Sequence, residues 1–168
     1  MVWRVSSPPS PNLSVSPIRI EPGGPTDKAF VVSLGRAAFD AFGDYGATLK
    51  RLWARQRALI ARRADRAVGF ALTSAGPNVH VSAVAVASEA RGMGVGRALL
   101  KAALQGAEWA SAEIAESNTA ARRLFEAVGF RHERHADAGR YANGAKAQSW
   151  IWRPNGLAPS RDIQRECK

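Results

Sequence analysis

The chain has 168 residues, with 24 Lys plus Arg against 14 Asp plus Glu and a formal net charge of +10 at pH 7. That length accommodates one well-buried core and excludes two ordinary domains. A hydrophobic content of 46% with 23% charged residues fits a soluble globular protein, and no apolar run reaches the roughly 20 residues that would span a bilayer.

In chain order, residues 1–17 carry Pro and Ser where a signal peptide would have its apolar core. Residues 1–16 therefore read as a flexible leader without a secretion signal. "SPIRIEP" alternates around Ile18 and Ile20 and predicts a first strand. Thr26, followed by Asp27, can cap a helix bearing Phe30, Val31, Leu34, Ala38 and Phe42. Beyond Gly43 and Gly46, the spacing of Leu49, Leu52, Trp53, Gln56, Leu59 and Ile60 predicts a second helix. Turn signals at Ala64-Asp65-Arg66 and Gly76-Pro77-Asn78 divide three alternating runs into an antiparallel meander.

A helix from about Gly94 to Trp109 follows, then a strand "SAEIA", a helix from Asn118 to about Val128, and strands near "FRHERHA" and "AQSWIWR". The segment "WIWR" is a candidate dimer edge, with monomer and homodimer both open. Residues 154–168 read as a polar tail. Its Cys167 is the sole cysteine, so it forms no intramolecular disulfide and fits the reducing cytoplasm. The order β, α, α, β, β, β, α, β, α, β, β is a mixed sheet with helices packed on it.

The most informative stretch is "VAVASEARGMGVGRALLKAAL", Val84 to Leu104. Gly92, Gly94 and Gly96 stand where a strand gives way to a helix. Backbone without Cβ atoms at a helix N-terminus suits an anion, a phosphate or a pyrophosphate. The competing reading is a glycine-rich turn without a ligand. A P-loop is excluded because Arg97 and Ala98 follow Gly96, and a dinucleotide fingerprint because its third glycine would fall at 97.

"RGMGVG", Arg91 to Gly96, resembles the acetyl-CoA loop of the GCN5-related N-acetyltransferases (GNAT), and "NTAARRLFEAVGF", Asn118 to Phe130, resembles their Asn-x-x-Ala-x-x-Leu-Tyr-Glu-x-x-Gly-Phe helix. The resemblance covers about residues 17–153. It implies a single α/β domain of GNAT fold: a mixed sheet of about seven strands, mostly antiparallel in its N-terminal half, with about four helices. It further implies that a splayed strand pair admits the pantetheine arm of acetyl-CoA against Val84, Ala85 and Val86. Pyrophosphate would then sit on the loop formed by Arg91, Gly92, Met93, Gly94, Val95, Gly96 and Arg97, with Asn118 and Phe125 beside the arm.

Acetyl transfer requires a placed amine, donors for the developing oxyanion and a proton route. The resemblance offers a backbone N–H near Val86 as the oxyanion donor and two proton acceptors. Glu113, five residues before Asn118, matches the glutamate of the ribosomal-protein N-terminal acetyltransferases, the type closest in motif. His80 matches the base position of histone-type members, and imidazole titrates close to neutral pH. Glu113 is preferred, against the plainer readings of a solvated glutamate and a strand-end histidine. Phe125 departs from the family, many of whose members have a tyrosine there to protonate the departing thiolate. Tyr141, in "GRYANG", is the candidate substitute; its plainer role is packing.

Arg122 and Arg123 read as a solvated helix face or as phosphate contacts. His132 and His135, three apart on a strand, point to opposite faces and do not make a metal site. The expectation is therefore a cytoplasmic, acetyl-CoA-dependent N-acetyltransferase acting on an amine of a small molecule or peptide, without a metal or a membrane. The first alternative is a catalytically silent CoA-binding module, for which Phe125 speaks. The second is a nucleic-acid-associated protein, for which only the charge speaks; the basic residues are scattered and not grouped beside aromatics. The positive charge also weighs against polycationic acceptors.

Overall fold

The computed structural model describes residues 16–43 and 45–154, without the side chains of 135–137. The leader and the tail that contains Cys167 lie outside the described residues, apart from the ends of their ranges at Ser16 and Pro154.

The elements follow the order read from the sequence: β1 (Arg19–Pro22), α1 (Lys28–Phe39), α2 (Tyr45–Arg55), β2 (Arg57–Arg63), β3 (Arg66–Thr73), β4 (Asn78–Val86), α3 (Val95–Ala103), β5 (Trp109–Ala115), α4 (Thr119–Val128), β6 (Arg131–Arg140) and β7 (Lys146–Trp152). They form one seven-stranded sheet in the order β1-β2-β3-β4-β5-β7-β6. Every neighbouring pair is antiparallel except β4 and β5, which run parallel because α3 carries the chain back between them. Among the described residues, no helix is long and apolar enough to cross a membrane.

Helices cover both faces. α1 and α2 bury Val31 and Leu49 against Ile60, Phe70, Leu72, Ala83 and Ala85. On the other face, Leu99 and Val95 of α3 meet Leu59, Ala61 and Ala71, while Phe125 of α4 and Phe130 meet Val79, Val81, Ala112 and Ile114. β4 changes face midway. Val79 and Val81 belong to the α3–α4 side, yet Ala83 and Ala85, of the same parity, belong to the α1–α2 side. The register explains the switch. Leu72 faces Ala83 and Thr73 faces Val81, so Ser82 is an extra residue in a β-bulge. Gln56, just past α2, donates from Nε2 to Ser82 Oγ at 2.7 Å and pins the bulge.

Several local expectations are corrected. Leu59 and Ile60 lie on β2, because the chain leaves the helix after Arg55; Trp109 likewise opens β5, since α3 ends at Ala103. Thr26 does not cap α1. A 3₁₀ turn at Pro25–Asp27 precedes the helix, and Asp27 reaches back to accept from the Gly24 N–H at 3.0 Å. Asp27 is also held by Arg62 Nη2 at 2.7 Å, which ties β2 to the start of α1. "WIWR" is no edge: β7 is enclosed by β5 and β6, and the sheet ends on β1 and β6.

α1 and α2 cross closely at Gly35, where a Cβ would stand 2.5 Å from Leu49 Cδ1 and 3.2 Å from Phe70 Cζ. Gly35→Val should therefore lower the unfolding free energy by about 2 kcal/mol through overpacking. Urea denaturation reads this directly, and an unchanged midpoint would refute the tight crossing.

Candidate active site

The parallel pairing of β4 and β5 runs only from Asn78 and Trp109 to Val81 and Ala112. Beyond that point β4 stays with β3 as far as Val86, and β5 stays with β7 as far as Ala115. The strands part at the bulge, and a cleft of about 270 Å³ opens between them. Its α1–α2 side is lined by Phe39, Tyr45, His80, Glu113 and Tyr141, and its α4 side by Asn118, Ala121 and Phe125. The Ala87 N–H donates to Val68 O on the β3 side. Alternation along the strand then turns the peptide groups of Val84 and Val86 toward the cleft and those of Ala85 toward β3. Of these three residues, two present an edge that pairs with no other strand.

At the end of β4 lies the glycine loop. Gly92 and Gly94 have φ of +73° and +79°, with nothing within 4 Å of where a Cβ would stand. Their glycines answer a left-handed backbone beside open space. Gly96 has another reason: its Cβ would stand 2.9 Å from Leu124 Cδ2, so its bareness lets α3 approach α4. This corrects the reading that all three glycines are bare for a ligand.

The first α-helical bond of α3 runs from the Ala98 N–H to Gly94 O, and the preceding amides of Val95, Gly96 and Arg97 point out of the helix end. Val95 contributes only its amide, since its side chain is buried in the core. Arg97 is exposed. Arg91 Nε donates to Val86 O at 3.3 Å, folding that side chain back over β4. Arg63 Nη1 donates to Met93 Sδ at 2.9 Å and braces the loop from beneath.

Across the cleft, His80 Nδ1 lies 3.0 Å from Ser111 Oγ, and its backbone N–H donates to Ser74 Oγ at 2.8 Å. Ser111 and Glu113 alternate with the core residues Ala110, Ala112 and Ile114, so both face the α1–α2 side. Tyr141 Oη donates to the Glu113 carbonyl at 3.0 Å, and burial, followed by Tyr45 and the Glu113 charge, pushes its pKa up to about 12. Burial and the Glu113 charge raise Tyr45 as well. A phenol at about 12 lies well above a thiol near 8.5, so proton transfer from Tyr141 to a thiolate runs uphill. Tyr141 suits hydrogen bonding better than acid catalysis. Its ring centroid lies 5.4 Å from that of Phe42, and Asn143 Nδ2 donates to Ala41 O at 2.5 Å, which fastens the β6–β7 turn to the α1–α2 turn.

On the opposite wall, Asn118 Oδ1 accepts from the Ala121 N–H at 3.0 Å and caps α4. Phe125 packs edge-on against Phe130 at 4.9 Å and is 6% exposed, so it is both cleft wall and core. Arg122 donates to Glu116 O, and Arg123 is exposed.

The structure thus gathers His80, Glu113, Tyr141, Asn118 and Phe125 at one cleft, with residues 91–97 at the end of the strand that forms its edge. Phe39, Ser111 and the Gln56–Ser82 pair were not singled out in the sequence as site residues, whereas Tyr45 falls in the turn "FGDYG", which by analogy with the family borders the acceptor groove. Those not singled out are brought in by packing alone. Among the described residues no group of three or more His, Cys, Asp or Glu could hold a metal. His132 lies against Trp150, with ring centroids 5.6 Å apart, and the His135 side chain lies outside the described residues.

The model of the acetyltransferase (GNAT) family matches residues 28–130. A mycothiol acetyltransferase of Thermobispora bispora is 34% identical over 158 residues, covering 77% of this chain and 53% of the relative, so the chain spans about half that protein's length. The ribosomal-protein-S18-alanine N-acetyltransferase of Escherichia coli superposes with a TM-score of 0.64 at 19% identity, over 86% of this chain and 97% of the other. A Bacillus subtilis acetyltransferase in complex with CoA superposes with a TM-score of 0.63 at 17% identity, over 82% of this chain and 99% of the other. These likenesses support the fold expected from the motifs. They do not single out the ribosomal-protein type.

The raised phenols have a signed consequence. A folded-state pKa above the unfolded value of 10.0 contributes stability that is complete below pH 10 and is lost as pH rises toward about 12. Phenolate absorbance should therefore appear later in the native chain than in urea, and Tyr141→Phe should remove the latest step. Native titration of both tyrosines near 10 would contradict the burial of Tyr141.

Proposed function

The chain belongs to the acetyltransferase (GNAT) family, and from that premise we propose that it transfers an acetyl group from acetyl-CoA to a primary amine. The observation that carries the reading is a cleft lined by candidate proton acceptors, with an amide-rich loop beyond the end of the strand that forms its edge. The outward amides of Val95, Gly96 and Arg97 fit a pyrophosphate, with Gly92 and Gly94 giving it room. The free edge at Val84 and Val86 fits an extended arm that pairs as a further strand would, and the Asn118 side chain faces it from α4.

In this reading the amine nitrogen attacks the thioester carbonyl carbon and the C–S bond breaks. The Val86 N–H meets the developing oxyanion. Glu113 takes the amine's proton, His80 being the alternative, and the sulfur leaves as a thiolate that water protonates, since Phe125 has no proton to give. Tyr141 and Tyr45 frame the acceptor. The acceptor is a small molecule or a peptide N-terminus, because the relatives' names span both mycothiol and a ribosomal-protein alanine. A catalytically silent CoA-binding module is not favoured: Phe125 is accounted for as core and cleft wall, and the candidate bases keep their places.

Gly94→Glu puts a side chain and a negative charge at the pyrophosphate position and should abolish acetyl-CoA binding in calorimetry; retained affinity would sink the loop assignment. Glu113→Gln should lower kcat by roughly a hundredfold in a thiol-release assay while leaving acetyl-CoA affinity unchanged. Loss of activity in His80→Ala, with Glu113→Gln fully active, would transfer the base role to His80.

A further inference from the structure

A broad hollow of about 770 Å³ lies on the outer side of α1 and α2, away from the sheet. Its charged lining is Lys28, Arg36 and Lys50, without a carboxylate. All three are exposed, and none has an ion-pair partner among the described residues. Its floor is small and apolar, with Ala29, Val32 and Ala37. A second hollow, lined by Arg36, Asp40, Gly43 and Tyr45, adjoins it at Arg36 and adjoins the catalytic cleft at Tyr45. The three hollows follow one another through these shared lining residues, and their charge is graded. Cations occupy the far end, and Asp40 and then Glu113 occupy the end nearest the chemistry.

That gradient has the polarity of one kind of ligand. A polypeptide with a free N-terminus brings a cationic amine to the carboxylate end, and acidic residues further along would lie over the cations. Lys28 and Arg36 are eight residues apart on α1, about 12 Å along its axis, which an extended chain covers in about four residues. The lining of the two outer hollows offers one aromatic ring, Tyr45, at the cleft end, and no platform on which successive bases would stack.

We infer that the acetyl acceptor is the N-terminus of an acidic polypeptide, whose carboxylates lie along the α1–α2 groove over Arg36, Lys50 and Lys28. This inference rests on the acetyltransferase reading and names the acceptor for the same site. Exposed charge pairs each contribute a factor of a few and are screened by salt, so three together give about tenfold. Their effect falls on peptide binding and on the encounter rate more than on the chemical step.

The test compares a short peptide carrying a free N-terminus and aspartates from its third residue onward with the same peptide carrying asparagines. Acetylation is followed by thiol release, and binding of the labelled peptides by fluorescence anisotropy, each at low and high salt. The expected result is kcat/KM about tenfold higher for the acidic peptide, carried by KM. The advantage should shrink with salt, vanish in Arg36→Gln/Lys50→Gln and reverse in Arg36→Glu/Lys50→Glu. Equal kcat/KM for both peptides at low salt would overturn the acidic acceptor while leaving acetyl transfer standing. If no amine is acetylated, the acetyltransferase reading fails, and anisotropy decides the groove alone: charge-dependent binding of the acidic peptide supports it, and equal binding of the two peptides refutes it. A single-stranded oligonucleotide that displaces the acidic peptide at concentrations where the peptide itself does not would also overturn the assignment.

Discussion

The parallel pairing of β4 with β5 ends at Val81 and Ala112, and the rest of the site depends on that ending. Two parallel strands would ordinarily keep their ladder for their shared length. Here the extra residue Ser82 reverses the faces of β4, so that Ala83 and Ala85 turn to α1 and α2 while Val81 remains with α4. The two strands then follow different partners, β3 on one side and β7 on the other. A cleft opens through a sheet that is otherwise continuous, and the backbone groups along it that have no strand partner are strong donors and acceptors.

The same divergence separates the tasks of the two walls. On the α3–α4 side, Gly96 lets two helices close up behind the loop, and Asn118 is a helix cap whose side chain also faces the cleft. On the α1–α2 side, polar groups line the opening: His80 beside Ser111, Glu113, and two phenols whose protons are held tightly by burial. In the proposed reading an anion is met by backbone dipoles at the loop, and proton chemistry is left to side chains in the cleft. One wall is held by helix packing and the other by strand register.

How much of this could be read from the residues follows from the range of the interactions. The order of elements was legible because period-2 and period-3.6 patterns are local, as at Ile18 and Ile20 or Phe30, Val31 and Leu34. The loop was legible because Gly92 and Gly94 hold positive φ, a local demand that leaves a mark in sequence. Gly96 looked the same and is different, since its neighbour Leu124 is distant in the chain. Leu59 and Ile60 continued a helical spacing by coincidence; their partners on β1 and β3 decide their conformation. The bulge at Ser82 had no signature, and its partner Gln56 read as one more helical position. "WIWR" looked like an edge because it comes last in the chain, whereas β6, formed earlier, takes the outer place.

The fastening of the β6–β7 turn to the α1–α2 turn, through Asn143 and Ala41 and the paired rings of Tyr141 and Phe42, joins segments 102 residues apart. The stretch that matches the family ends at Phe130, before this hairpin begins. The loop proposed to meet the cofactor lies within that stretch, and the hairpin that carries Tyr141 lies beyond it. In the proposed reading, substitutions at 141–143 reshape the mouth at a distance from the loop at 91–97, so the choice of acceptor can change while the acyl donor stays the same.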